Sequence, residues 1–169
     1  PSDGNPPAGF KSGTEYTNDD FNAALQNDNP FSVLPFIDFW GHGTAVAGIA
    51  VGNGSAFDRR FIGVAPNADI IVVKVSVGDV RAFARTTEVM RAVKYIIDKA
   101  ENLNKPVVIN LSYGTNNGSH DGDSLFETYL DDMSNKWKTS IVVSSGNEGI
   151  LGHHFRNIIK SYESNLVEV

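Results

Sequence analysis

The chain has 169 residues, enough for one domain with a core of its own. Hydrophobic residues make up 41% and charged residues 20%, which excludes an intrinsically disordered chain. A net charge of -6 gives no footing for nucleic acid or an anionic membrane as partner, and the lack of cysteine excludes disulfides and thiolate metal sites while leaving the compartment open.

No apolar run approaches the roughly 20 residues of a membrane span. The opening at Pro1 shows no basic and apolar leader pattern. Leu166, Val167, Glu168 and Val169 read as the start of a strand, so the sequence is expected to be a portion of a longer domain. No internal repeat or low-complexity tract occurs.

Residues 1–37 are punctuated by Pro6, Pro7, Gly9, Gly13, Pro30 and Pro35 and are expected to be a largely irregular segment of the same domain. Within them residues 17–25 predict a short helix, with Thr17 as N-cap and Asp19 and Asp20 in its first turn. Residues 38–149 carry the motifs. Residues 43–51 are small and apolar almost all round, which predicts a buried helix, and Gly52, Asn53, Gly54 and Ser55 end it. The β-branched run at 69–77 predicts a strand buried on both faces. Thr86 is placed to cap a helix whose apolar positions are Val89, Ala92, Val93, Ile96, Ile97, Ala100 and Leu103. Residues 106–111 predict a second buried strand. Ser124 and Glu127 form a capping-box pair ahead of a further helix, and residues 139–144 predict a third strand.

Alternating strands and helices imply an α/β fold with a parallel sheet, right-handed crossovers and helices over its faces. In such sheets ligands bind beyond the carboxyl ends of the strands. Two segments fall there: Ser112, Tyr113 and Gly114 after one strand, and Ser145, Gly146 and Asn147 after the next. His42 stands between Gly41 and Gly43 at the start of the apolar helix. The positive end of a helix dipole disfavours a second positive charge, and a general base has to be neutral. Locally, His42 is equally consistent with a histidine that only caps its helix. Asn147 alone fits a left-handed turn residue, and Ser112 alone fits an ordinary strand end.

Taken in order, the motifs change that balance. Residues 41–48, Gly-His-Gly-Thr-Ala-Val-Ala-Gly, resemble the histidine motif of the subtilisin-like serine proteases, the subtilases. Gly63, Val64, Ala65, Pro66, Asn67 and Ala68 look like the turn that follows it in that family. Residues 110–114 resemble the family's substrate-binding strand, and residues 144–149 its oxyanion segment. Pro6, Pro7, residues 13–17 and residues 22–25 are similar to the spore-germination subtilases of anaerobic spore-formers.

The resemblance implies a three-layer subtilisin-like fold, incomplete over these 169 residues, and the hydrolysis of peptide bonds by a serine endopeptidase. His42 would be the general base for a serine nucleophile. Asn147 would donate to the tetrahedral oxyanion. Ser112, Tyr113 and Gly114 would pair with the substrate backbone, and Ser144, Ser145 and Gly146 would line the pocket for the residue before the scissile bond. The substrate would be a polypeptide, with neither nucleic acid nor membrane as partner. The sequence departs from the family pattern at Ala45, where a second histidine is common, and at Tyr113, which is bulkier than usual.

Neither the family's aspartate nor its serine is identified. Asp3, Asp19, Asp20 and Asp28 lack a preceding apolar strand, and Ser161 and Ser164 lack a glycine-rich context. The isolated chain is therefore expected to be inactive, and self-association through exposed core is open to it. A pseudoprotease of the same fold, acting as a binding or signalling module in spore germination, is the alternative; an unrelated α/β hydrolase or binding domain is the third reading. No cofactor is implied. Gly41 and Gly43 do not make a dinucleotide fingerprint, because Val46 takes the third glycine position. His120, Asp121 and Asp123 fit a solvated loop better than a cation site. His153 and His154 lack helical ligand spacing. Subtilases commonly bind calcium, but residues 53–60 do not match a calcium loop, and Arg59 and Arg60 would oppose a cation.

Overall fold

The computed structural model describes residues 6–75, 85–114, 118, 120–152, 158, 160–162 and 164. They fall into two compact units, Pro1–Ala68 and Asp69–Val169.

The first unit holds helices α1 (Asn18–Leu25) and α2 (His42–Val51), with short 3-10 turns at Pro30–Ser32 and Ser55–Phe57. Thr17 caps α1 as the sequence implies. Asp20 reaches back to accept hydrogen bonds from the Thr17 backbone N (2.7 Å) and hydroxyl (2.9 Å). These bonds hold the Asp20 carboxyl below the usual aspartate range.

Helix α2 forms where the apolar stretch predicts it, but none of its residues is buried, and Ile49 is 72% exposed. The expectation of a buried helix is corrected on that point. A helix apolar on every face needs neighbours on every side, and the described residues supply few. What they do supply is a cap. The backbone N–H groups of Gly63, Val64 and Ala65 donate to the carbonyls of Gly52, Ile49 and Ala50 at 2.7, 3.1 and 2.8 Å. The Gly-Val-Ala-Pro segment thus satisfies carbonyls that the end of α2 would otherwise leave orphaned. A Cβ on Gly63 would lie 2.5 Å from the Gly52 nitrogen, so only glycine permits this approach.

The second unit holds α3 (Thr86–Asn102), β1 (Val107–Leu111), α4 (Leu125–Ser134) and β2 (Thr139–Val143). The strands pair in parallel, with Val107 opposite Thr139 and Leu111 opposite Val143. This is the predicted α/β arrangement, with α4 as the crossover. Val93 and Ile97 of α3, Ile109 of β1 and Met133 of α4 form the core, flanked by Leu111, Tyr129, Leu130, Trp137 and Ile141. Burying a side chain such as Val93 completely is worth about 1.5–3 kcal/mol. Ser124 and Glu127 form the expected capping box on α4. The cap of α3 is Arg85, and Thr86 is its first helical residue, one position from the expected cap.

Two strand expectations are corrected. Residues 69–75 form no strand, and residues 76 and 77 lie outside the described residues. Their side chains alternate, Ile71, Val73 and Val75 half-buried and Val72 exposed, but a strand exists only by pairing, and among the described residues no ladder reaches them. At its start Asp69 forms an ion pair with Lys105. Strands β1 and β2 are covered on one face and not both: Ile109 is buried, while Val108 and Val142 are 71% and 52% exposed. Both α3 and α4 pack on the Ile109 face, which makes two of the expected three layers within this unit.

Candidate active site

His42 is the first residue of α2. Gly41 before it is the N-cap and adopts a left-handed conformation (φ 69°), which glycine takes without strain. The capping itself comes from Asp38. One carboxylate oxygen accepts from the Thr44 backbone N (2.9 Å) and the Thr44 hydroxyl (2.8 Å), and the other accepts from the Gly41 N (3.0 Å). The bonds from Thr44, then that from Gly41, hold the Asp38 carboxyl below the usual aspartate range. His42 is exposed and is not the capping group, which removes the simpler reading of this histidine. Sequence reasoning missed Asp38. The signal was an aspartate three residues before the N-cap, within reach of the free N–H groups of the first turn.

In the second unit the parallel register sends both strand-end motifs out at one edge of the sheet. Beyond the Leu111–Val143 pair, the Ser144 N donates to the Leu111 carbonyl (3.2 Å) and the Ser144 hydroxyl donates to the Tyr113 carbonyl (3.3 Å). A Cβ on Gly114 would sit 3.5 Å from the Ser144 Oγ. Ser112 accepts from the Asn110 side-chain amide at 3.0 Å. Ser112, Gly114 and residues 144–147 are exposed, and Tyr113 is half-buried. Burial, and secondarily the Glu88 charge, push the Tyr113 hydroxyl up from its ordinary value. Gly146 takes the left-handed conformation (φ 87°) and Asn147 does not, so the turn-residue reading of Asn147 fails. The structure brings Ser112, Tyr113 and Gly114 together with Ser144, with Ser145, Gly146 and Asn147 following on the same strand end; His42 belongs to the first unit.

Among the described residues no group of three or more His, Cys, Asp or Glu is placed to hold a metal ion. The Asp121 carboxylate accepts from the Asp123 N (3.1 Å) as a turn residue, and the Asn53 amide accepts from the Ser55 N (3.0 Å) in the same way. His153 and His154 lie outside the described residues. No helix among the described residues is long and apolar enough to cross a membrane.

The family model of the subtilases matches residues 9–166. A subtilisin from Bacillus sp. (strain TA39) is 35% identical over 112 residues, 66% of this chain and 25% of that protein. Tripeptidyl-peptidase 2 of Drosophila melanogaster is 32% identical over 108 residues, 64% of this chain and 7% of that protein. The structure of the Clostridium perfringens CspB protease superimposes with a TM-score of 0.74 at 44% identity, over 79% of this chain and 29% of that one. The chain thus spans at most about a quarter of the curated relatives it matches. A family match over nearly its whole length, together with a subtilisin-like structural neighbour, makes this chain a member of the subtilase family of serine proteases.

Proposed function

We propose that this chain is part of a serine endopeptidase that cleaves polypeptides through a Ser-His-Asp triad, with His42 as general base and Asn147 as oxyanion donor. The observation that carries the reading is the shared sheet edge, where Ser144 bonds to the Tyr113 carbonyl and Asn147 follows three residues later. A peptide laid along Ser112, Tyr113 and Gly114 would pair through its backbone, which gives affinity with little demand on side chains. Its scissile carbonyl would then lie toward the Asn147 amide, and Ser144, Ser145 and Gly146 would border the preceding side chain. His42, exposed at the head of α2 and held between residues tied by Asp38, is free to take a proton from a serine hydroxyl.

The nucleophile is not among residues 1–169 on this reading, so peptide hydrolysis belongs to the longer protein. The experiment is kinetic. In the full-length protein, His42→Ala abolishes turnover, and Asn147→Ala lowers kcat by orders of magnitude with little change in KM, because the oxyanion exists only in and near the transition state. An Asn147→Ala protein with unchanged kcat would remove Asn147 from the mechanism.

A further inference from the structure

The last paired residues of β1 and β2 are Leu111 and Val143. Ser144, the next residue after β2, still reaches across to the neighbouring segment, and it does so twice. Its backbone N–H donates to the Leu111 carbonyl at 3.2 Å, which closes the parallel ladder. Its hydroxyl donates to the Tyr113 carbonyl at 3.3 Å, two residues farther along. A Cβ on Gly114 would stand 3.5 Å from the same Oγ, so the hydroxyl sits against both residues of the Tyr113–Gly114 peptide unit.

The geometry of that unit gives the bond a consequence. A trans peptide is planar, and its N–H points opposite to its C=O. The Tyr113 carbonyl and the Gly114 N–H share one such plane, and the peptide bond between the two residues is trans. With the carbonyl drawn toward Ser144, the Gly114 N–H is turned away from β2, to the other edge of residues 112–114. Gly114 is exposed. Glycine also resists rotation of its backbone least of all residues, so a plane that ends on Gly114 needs a hold from outside. The Ser144 hydroxyl is that hold.

We infer that Ser144 is a positioning residue: its hydroxyl fixes the Tyr113–Gly114 peptide plane so that the Gly114 N–H faces the backbone of a peptide bound along Ser112, Tyr113 and Gly114. The inference rests on the peptidase reading and gives the Ser144 hydroxyl a task within it. Ser144 acts on the substrate only through Gly114. One substrate carbonyl, the one that accepts from the Gly114 N–H, therefore depends on Ser144 for its recognition, whatever side chains the peptide carries.

The test uses the full-length protein and a fluorescent peptide set in which each carbonyl oxygen, other than the scissile one, is replaced in turn by sulfur, a poorer acceptor. At one position sulfur is expected to raise KM about fivefold with little change in kcat, the size of one neutral hydrogen bond. Ser144→Ala and Ser144→Val raise KM for the all-oxygen peptide by about the same factor. Ser144→Thr, which has the shape of Ser144→Val but keeps the hydroxyl, restores most of the loss. In the Ala and Val variants sulfur at that one position costs nothing more, while at every other position the two effects multiply. A merely structural Ser144 would not single out one carbonyl. An unchanged KM in both variants, or a loss that multiplies equally with sulfur at every position, overturns the inference and leaves the peptidase reading standing. If no peptide is cleaved, the peptidase reading falls. Anisotropy of the same peptides then decides on Ser144 alone: the same one-position pattern in Kd supports it, and its absence overturns it.

Discussion

A single carboxylate oxygen of Asp38 accepts both the backbone N–H and the hydroxyl of Thr44, while its sister oxygen holds the N–H of Gly41. The two anchors lie on either side of His42, one residue before it and two after. Asp38 therefore fixes the backbone from which the imidazole projects. In the full-length protein, Asp38→Ala is expected to lower kcat by up to ~100-fold with a smaller effect on KM, the size that misplacing a catalytic group produces. Amide exchange at Thr44 should quicken in the same variant. Unchanged kcat together with faster exchange would show that the clamp serves the helix only.

The acid side of the stability profile follows from the same bonds. The carboxyls of Asp38 and Asp20 are both held below the ordinary aspartate value by hydrogen bonds to their ionised forms. A depressed native value stabilises the fold above the unfolded value near 3.9. That contribution is lost as pH falls through the lower native values. Loss of helix signal from α1 and α2 is therefore expected below pH ~4, not between pH 5 and 7. A double variant, Asp20→Asn with Asp38→Asn, should show a flatter dependence across the acid window. An equally steep profile in the variant would place the acid sensitivity elsewhere.

Gly63 is where the cap of α2 meets its limit. A methyl group there would press on the Gly52 and Val51 nitrogens at 2.5 and 2.8 Å, all backbone atoms with no rotamer to yield. Gly63→Ala is expected to cost about 1–3 kcal/mol, the range for overpacked sites. Thermal unfolding followed by circular dichroism measures it. Gly149→Ala, with open space around its Cβ, serves as the control. Equal melting temperatures for the two variants would contradict the cap.

The helices were legible because their signals are local. Thr17 with Asp20 and Ser124 with Glu127 are capping pairs complete within four residues. The parallel pairing followed from a strand, a helix and a strand in succession. Burial was less legible. The apolar character of residues 69–75 and of α2 says that these segments want cover, but not which chain segment provides it. The role of Asp38 was hidden for a different reason. Its partners stand three and six residues away across the start of a helix, in no capping-box spacing.

Uncovered apolar surface has a consequence for the isolated 169-residue chain. Val108 and Val142 are adjacent-strand residues on the face of the sheet opposite Ile109, and Val143, Val72 and Ile49 are also largely exposed. Surface of this kind drives association in water. The isolated chain is expected to show a mass that rises with concentration in analytical ultracentrifugation. Val108→Lys with Val142→Lys should lower it, since β1 and β2 keep the Ile109 face that holds their core. A strictly monomeric wild-type chain at 100 μM would defeat this expectation.

Whether these residues contain a nucleophile of their own is decided by the serines at the strand ends. The Ser144 hydroxyl donates its hydrogen bond to the Tyr113 carbonyl and not to a basic side chain. Ser112 accepts a hydrogen bond from the Asn110 amide, which draws electron density away from the oxygen an attack would need. Neither arrangement resembles a serine paired with a histidine. The isolated chain is therefore expected to resist a serine-directed phosphonylating probe and to leave a broad peptide substrate intact. The full-length protein should take one equivalent of the same probe, and His42→Ala should abolish that labelling. Stoichiometric labelling of the isolated chain at Ser112, Ser144 or Ser145 would show instead that one of these strand-end serines is the nucleophile, and the roles given to both segments would have to be reassigned.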